Sequence, residues 1–284
     1  MQNIFMLLLV KGLMIGSIYA LISLGFNVIY RTTGVLNFAQ GEFVMMGGVV
    51  ASWAFHTLQW PLWVALLTGM LAAGVGGALL HQLAIRPVKN TGAITYIIIT
   101  VGASIVLQSL FSMIWGTDPY HLPPLREGGW RLAGVPVTGQ GVLVLIGAAC
   151  SMILLYAFFR WTRTGRAMKA CSENRMAARL CGVNPQRMGQ LSFVLSAMLG
   201  GIAGILLTPM LSMSFNSGTM LGLKGFSAAI IGGLGNPVGG VIGGVLLGLL
   251  EQYGCWVSSI YKETLALAMV LVILLVRPRG LLTR

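Results

Sequence analysis

Charge is scarce in this sequence. Only 8% of its 284 residues are Asp, Glu, Lys or Arg, and only six of those are acidic. No stretch is polar enough and long enough to fold a soluble core of its own. The dipeptide Gly-Lys occurs nowhere, so a GxxxxGK[ST] phosphate loop is absent and the chain is not itself an ATPase of that kind. Neither HExxH nor GxSxG occurs, which argues against an intramembrane enzyme. Four cysteines form no CxxC pair, and His56, His81 and His121 lie in unrelated segments. Metal, cofactor and disulfide sites are therefore not expected, and the cysteines read as small apolar residues.

What the chain has in abundance is apolar sequence. The hydrophobic fraction is 56% and the mean hydropathy +0.86. Crossing roughly 30 Å of hydrocarbon takes about 20 apolar residues. Runs of that kind cover about 12–30, 34–55, 62–85, 93–115, 140–160, 190–211, 225–254 and 260–276. They are continuously apolar and do not alternate, so helices satisfy their backbone groups. The N-terminus shows no cleavable signal pattern, because after MQNIFMLLLVK the apolar run continues to Tyr30. The expected fold is all-α: one polytopic membrane domain over 1–284, with about eight, or nine, transmembrane helices.

The net charge of +12 would suggest nucleic acid in a soluble protein. Here no basic-aromatic platform accompanies it, and Lys and Arg in cytoplasmic loops explain it better. Thirteen of the 18 basic residues cluster at Arg31, at Arg86 and Lys89, from Arg160 to Arg187, and from Arg277 to Arg284. Placing those clusters inside puts the N-terminus outside, the C-terminus inside and the loop 116–139 outside as a short ordered cap. Parity then requires 225–254 to go in and come back. Its centre, GLGNPVGG, breaks a helix: Pro237 has no amide donor and the glycines are permissive. Two short spans, or a re-entrant pair, with Asn236-Pro237 at or near the cytoplasmic turn, are expected. Glycines at small-xxx-small spacing there, and Gly12 and Gly16 in the first span, allow close packing.

Two features stand out from the apolar background. Asn37, Gln40 and Glu42 open the second apolar segment, and an ionisable group at membrane depth usually faces a cavity, a partner or a path. Asn37 and Gln40 are spaced to share a helical face. A purely structural alternative pairs Glu42 with Arg31 at the interface. Glu251, near Lys262, reads as an interfacial salt bridge. The second feature is the longest polar stretch, about 161–189. Ser172 can cap a helix running from Glu173 to a stop at Gly182 and Asn184-Pro185. Met176, Ala177, Leu180 and Val183 fall on one face. Such a helix suits a protein groove, and equally a solvated connector or a headgroup-bound strap.

Three motifs carry a resemblance. GSIYALISLGFNVIYRTTGVLNFAQGEFVMMGG resembles the N-terminal signature of the LivH-like permeases of branched-chain amino acid ABC importers (the hydrophobic amino acid uptake type), with Gln40 where that family commonly has His. TRTGRAMKACSENRMAARLCGVN is similar to the cytoplasmic coupling loop of ABC importer permeases, and GFSAAIIGGLGNPVGGVIGGVLLGLLE to the C-terminal glycine-rich signature. The resemblance covers nearly the whole chain. It implies a non-enzymatic permease of the bacterial inner membrane. Its implied partners are a second homologous permease, two cytoplasmic ATP-binding subunits, a periplasmic substrate-binding protein and the bilayer, with no nucleic acid. Glu173, Ala177, Ala178 and Gly182 would couple to the ATPases, and Asn37, Gln40, Glu42 and Asn236 would line the path. The same resemblance admits urea, short amides or aromatic acids as solutes. A stand-alone secondary transporter or channel is the competing class, disfavoured because only Glu42 reads as an ionisable residue at mid-membrane.

Overall fold

The computed structural model describes residues 2–88, 92–126, 128–132, 135–257, 268, 270–273, 275, 277 and 280–282. The expected last span, 260–276, lies mostly outside the described residues. The first helix, α1 (Gln2–Thr33), is followed by α2 (Gln40–His56), α3 (Leu62–Leu80) and α4 (Ala93–Trp115). A π-turn over His81–Ile85 extends α3. A short hairpin of β1 (Gly129–Leu132) and β2 (Val135–Thr138) precedes α5 (Gly139–Trp161). Then come α6 (Arg163–Glu173), α7 (Arg175–Leu180), α8 (Pro185–Leu207), α9 (Ser217–Gly232) and α10 (Pro237–Val257).

Among the described residues, six helices are long and apolar enough to cross a membrane: Ile4–Thr33, Leu62–Ile85, Ala93–Trp115, Gly139–Trp161, Pro185–Leu207 and Pro237–Trp256. The finer count of eight or nine depends on α2 and α9, of 17 and 16 residues. At 1.5 Å per residue each is about 25 Å long, shorter than a full crossing. The all-α expectation needs one correction. The 116–139 loop contains a two-stranded antiparallel sheet with Trp130 opposite Val137 and Arg131 opposite Pro136. Val135, Val137 and Thr138 are β-branched and supply strand propensity, and Pro136 is tolerated because both strands are edges.

The core is built on α1, α2, α8, α9 and α10. Phe26, Phe43, Phe193, Ile18, Leu21 and Ile29 are fully buried in it. The small-residue expectation holds at the α1–α10 contact. A Cβ on Gly16 would come within 2.8 Å of Val245 Cα and 3.0 Å of Gly244 O, so only glycine permits this backbone approach. The GLGNP break is also as expected. Gly233 and Gly235 take φ of 100° and 85°, Asn236 Oδ1 accepts from Gly239 N at 3.2 Å, and α9 and α10 pack against each other across the turn. In contrast, α4 and α5 present rows of exposed apolar side chains such as Ile98, Ile105, Met113, Ile146 and Ile153, as lipid- or partner-facing helices do.

The molecule has two opposite ends. One gathers the end of α1, the α6–α7 segment and the α9–α10 turn: the Arg175 guanidinium bonds Thr33 O, and Gly235 N donates to Asn27 Oδ1 at 2.6 Å. The other gathers the hairpin loop and the α8–α9 connection, where Tyr120 and Met213 exchange backbone hydrogen bonds at 2.8 and 2.9 Å and His56 Nε2 meets His121 O at 2.9 Å.

Candidate functional site

Residues 34–39 are not helical, and α2 starts only at Gln40. Asn37 and Gln40 therefore do not share a helical face, contrary to the spacing argument. Depth follows from the neighbours. The Gln40 amide donates to Ser196 O at 3.0 Å, and Ser196 Oγ reaches both Gln40 Oε1 (2.7 Å) and Gly25 O (2.8 Å). Gly25 is eight residues before the end of α1, about 12 Å along the helix. Gln40 thus braces α1, α2 and α8 about two turns from the end of α1. Asn37 is buried; its Oδ1 accepts from Ala39 N at 3.2 Å, while its Nδ2 has no partner among the described residues.

Glu42, in the first turn of α2, faces the other way. It is fully buried, and it does not pair with Arg31. Its Oε1 accepts from Ser104 Oγ (2.8 Å) and Gln108 Nε2 (2.9 Å) of α4, and from Thr219 Oγ1 (3.2 Å) of α9. Gln108 also bonds Thr219 directly. Oε2 has no donor among the described residues and lies against Gly218. The first turns of α2 and α9 can meet here because Gly41, Gly218 and Gly222 lack side chains; a Cβ on Gly41 would come within 2.8 Å of Gly222 Cα. Both helix N-termini bring positive dipole ends to the carboxylate. Outward, the cluster opens: Gln108 is half-buried and Thr219 exposed, and they continue a surface formed by Ile105, Ser109, Met220 and Leu223. The carboxylate itself is covered, and the half-buried Gln108 and exposed Thr219 bonded to it connect it to that surface.

A second ionisable cluster joins α1, α9 and α10. Lys224 Nζ sits 2.8 Å from Glu251 Oε1, the Tyr19 hydroxyl donates to Glu251 Oε2 at 2.6 Å, and the ammonium lies 5.6 Å from the Tyr19 ring centroid. Glu251 is buried, fourteen residues into α10, about 21 Å from its start. The salt bridge expected of Glu251 is present, with a partner other than the expected Lys262. The fold-back at the α9–α10 turn supplies Lys224 as its partner; Lys262 lies outside the described residues.

The polar stretch forms two helices where one was expected. Ser172 and Glu173 are the last turn of α6, with Ser172 Oγ donating to Lys169 O at 2.7 Å. The cap is Asn174, whose Oδ1 accepts from Met176 N and Ala177 N, both at 3.0 Å. Asn offers a compact acceptor to two amides at once, and its extended φ of −152° separates the helices. Gly182 does end α7. At φ 80°, its N–H reaches Arg179 O and that of Val183 reaches Ala178 O, both at 3.0 Å. Ala178 is buried, whereas Ala177, Met176 (68% exposed) and Leu180 (84% exposed) project outward. Cys171 is buried beneath α6; burial pushes its thiol upward in pKa and Arg175 pulls it back only in part, which suits a packing residue.

A family model described as "Branched-chain amino acid transport system / permease component" matches residues 8–275. The chain belongs to this family. It is 34% identical to the high-affinity branched-chain amino acid transport system permease protein LivH of Escherichia coli K12, over 96% of this chain and 94% of that one. Pseudomonas aeruginosa BraD, of the same description, is 31% identical over 97% and 95%. The permease protein LivM of Escherichia coli K12 is 24% identical over 93% of this chain and 68% of its own.

Of this permease's expected path residues, Asn37, Gln40 and Glu42 lie close together, but Gln40 turns into the core. Asn236 stands apart at the α9–α10 turn, where it caps α10 and donates to Leu282 O at 3.2 Å. Sequence reasoning missed Ser104, Gln108 and Thr219. The first two are spaced i, i+4 on α4, a signal available in the sequence; Thr219 carries none.

Proposed function

We propose that this permease subunit moves branched-chain amino acids inward across the bacterial inner membrane, as half of the membrane part of an ATP-driven importer. Its partners are a second, related permease, two cytoplasmic ATPases and a periplasmic binding protein, with ATP hydrolysis left to the ATPases. The basic end faces the cytoplasm, the N-terminus the periplasm, and the crossings number eight or nine. The observation that carries this reading is the Glu42 cluster opening between α4 and α9. A zwitterion entering there finds a carboxylate for its ammonium group and an apolar surface for its side chain. It finds no enclosing site that would trap it. Asn37, with its unpartnered amide, joins Glu42 along the path. Gln40 serves as a brace, and Asn236 acts at the cytoplasmic end.

The α6–α7 segment is the handle by which the ATPases move the subunit. Glu173, Ala177, Ala178 and Gly182 divide the work: Ala178 seats α7 on the body, Gly182 terminates it, and Ala177 and Glu173 meet the ATPase. Met176 and Leu180 add an apolar surface for which water is a poor partner. Ala177→Trp and Leu180→Asp are expected to leave membrane insertion intact and lower both ATPase co-purification and uptake by roughly 10-fold or more. Gly182→Arg adds the cost of a left-handed residue, about 1–2 kcal/mol, and acts in the same direction. Pull-down of the ATPases alongside uptake measures both effects. Normal co-purification and uptake in Ala177→Trp and Leu180→Asp would make the segment a solvated connector.

A further inference from the structure

At the basic end, α1, α5, α6 and α10 line an open cavity of about 650 Å³. Its wall is apolar: Leu24, Met152, Leu155, Phe159, Val241 and Ile242 line it. Its rim is cationic, with Arg31 from α1, Arg160 from α5, and Arg166 and Lys169 from α6. No described carboxylate forms an ion pair with any of the four. The N-terminus of α10 at Pro237 also opens on it and adds the positive end of a helix dipole.

Charge of this sign is ordinary at this end of a membrane protein, and all four side chains are exposed. Here three separate elements bring theirs to one recess. The position of α6 is fixed rather than loose. Thr162 Oγ1 caps it by accepting from Gly165 N at 2.9 Å. Gly165 lets it fold back against the end of α5, where a Cβ would come within 2.7 Å of Phe159 Cα, and Met168 and Cys171 anchor it in the core. The result joins a cationic rim to a hydrocarbon-lined wall.

We infer that this cavity is a specific site for an anionic phospholipid of the cytoplasmic leaflet. Its phosphate sits among Arg31, Arg160, Arg166 and Lys169, and an acyl chain lies along Leu24, Met152 and Val241. The site has the chemistry by which basic pockets between membrane helices select anionic headgroups. It lies apart from the Glu42 cluster, so its failure leaves the transport reading standing.

The test uses the assembled importer purified in mild detergent, with co-purifying lipid quantified and native mass spectrometry counting bound lipids. Retained phosphatidylglycerol is expected to exceed its share of the membrane. Arg31→Gln with Arg160→Gln, both outside the 161–189 segment, should lower retention roughly 10-fold or more. Arg86→Gln with Arg277→Gln removes equal charge from the same end but outside the cavity, and should change retention less than about twofold. Phosphatidylcholine nanodiscs should yield no tightly bound lipid, and millimolar inorganic phosphate should not displace the phosphatidylglycerol. Equal loss in both double variants would reduce the effect to diffuse charge and overturn the site. Unchanged retention in Arg31→Gln/Arg160→Gln, or displacement by phosphate alone, would overturn it as well. So would loss of the ATPases from that variant with its lipid retained, since the rim would then be a protein-docking surface.

Discussion

Glu251→Gln is expected to cost about 3–5 kcal/mol of folding free energy and to remove most of the membrane-resident protein. The carboxylate is buried among α1, α9 and α10, 2.8 Å from the Lys224 ammonium and 2.6 Å from the Tyr19 hydroxyl. The substitution removes the negative charge from the 2.8 Å ion pair and weakens the acceptor of the Tyr19 hydroxyl at a largely buried position. Lys224→Met should do similar damage from the other side. The double replacement Lys224→Met/Glu251→Met should recover most of the loss, because two apolar side chains of similar length need no compensation. Thermal unfolding of the detergent-purified chain reads all three variants. A single variant that melts with the wild type would show that the pair contributes nothing, and a double variant no better than the worse single would show that the loss is not electrostatic.

Glu42→Leu should abolish uptake, and Glu42→Gln should lower it roughly 10- to 100-fold, the worth of one charge-assisted hydrogen bond of about 1.5–3 kcal/mol. The two variants separate structure from transport. A glutamine at this position keeps an oxygen for Ser104, Gln108 and Thr219, so the α2–α4–α9 contact survives and only the charge is lost. Leucine removes that acceptor as well. Uptake must be normalised to membrane-resident complex, and the affinity of the binding protein, which never touches Glu42 in solution, should stay unchanged. Normal uptake per complex in Glu42→Gln, with reduced yield, would assign Glu42 to structure alone.

Much of this was legible in the sequence, and the limits have physical causes. The apolar runs located the long helices, because crossing a bilayer imposes length and composition together. GLGNP announced the α9–α10 turn, because proline and glycine act locally. Glu42 stood out because a carboxylate in an apolar run costs free energy unless something receives it. Its partners did not stand out: Thr219 and Ser104 are neutral, small and common in membrane helices, and only the tertiary fold brings them to one oxygen. Glu251 was matched with a nearby lysine in sequence, whereas its partner is 27 residues upstream on the helix that folds back against it. The α6–α7 division turned on a choice between Ser172 and Asn174 as cap, two residues apart, which local propensity hardly separates. The hairpin was hidden for another reason: eight strand residues in a loop rich in Gly and Pro carry little pattern.

The central claim, that the Glu42 cluster opens on the translocation path, is tested most directly at Thr219. In a chain whose Cys150, Cys171, Cys181 and Cys255 are replaced by alanine and which still transports, Thr219→Cys places a thiol at the mouth of the cluster. The measurement is its labelling rate by a small, charged thiol reagent in the assembled importer, at rest and during ATP-driven turnover with saturating leucine. Labelling at rest that slows several-fold during turnover is the expected result, because water and solute would share that surface. A thiol that reacts only with lipid-soluble reagents, at a rate indifferent to ATP and leucine, would place Thr219 against lipid and contradict the account.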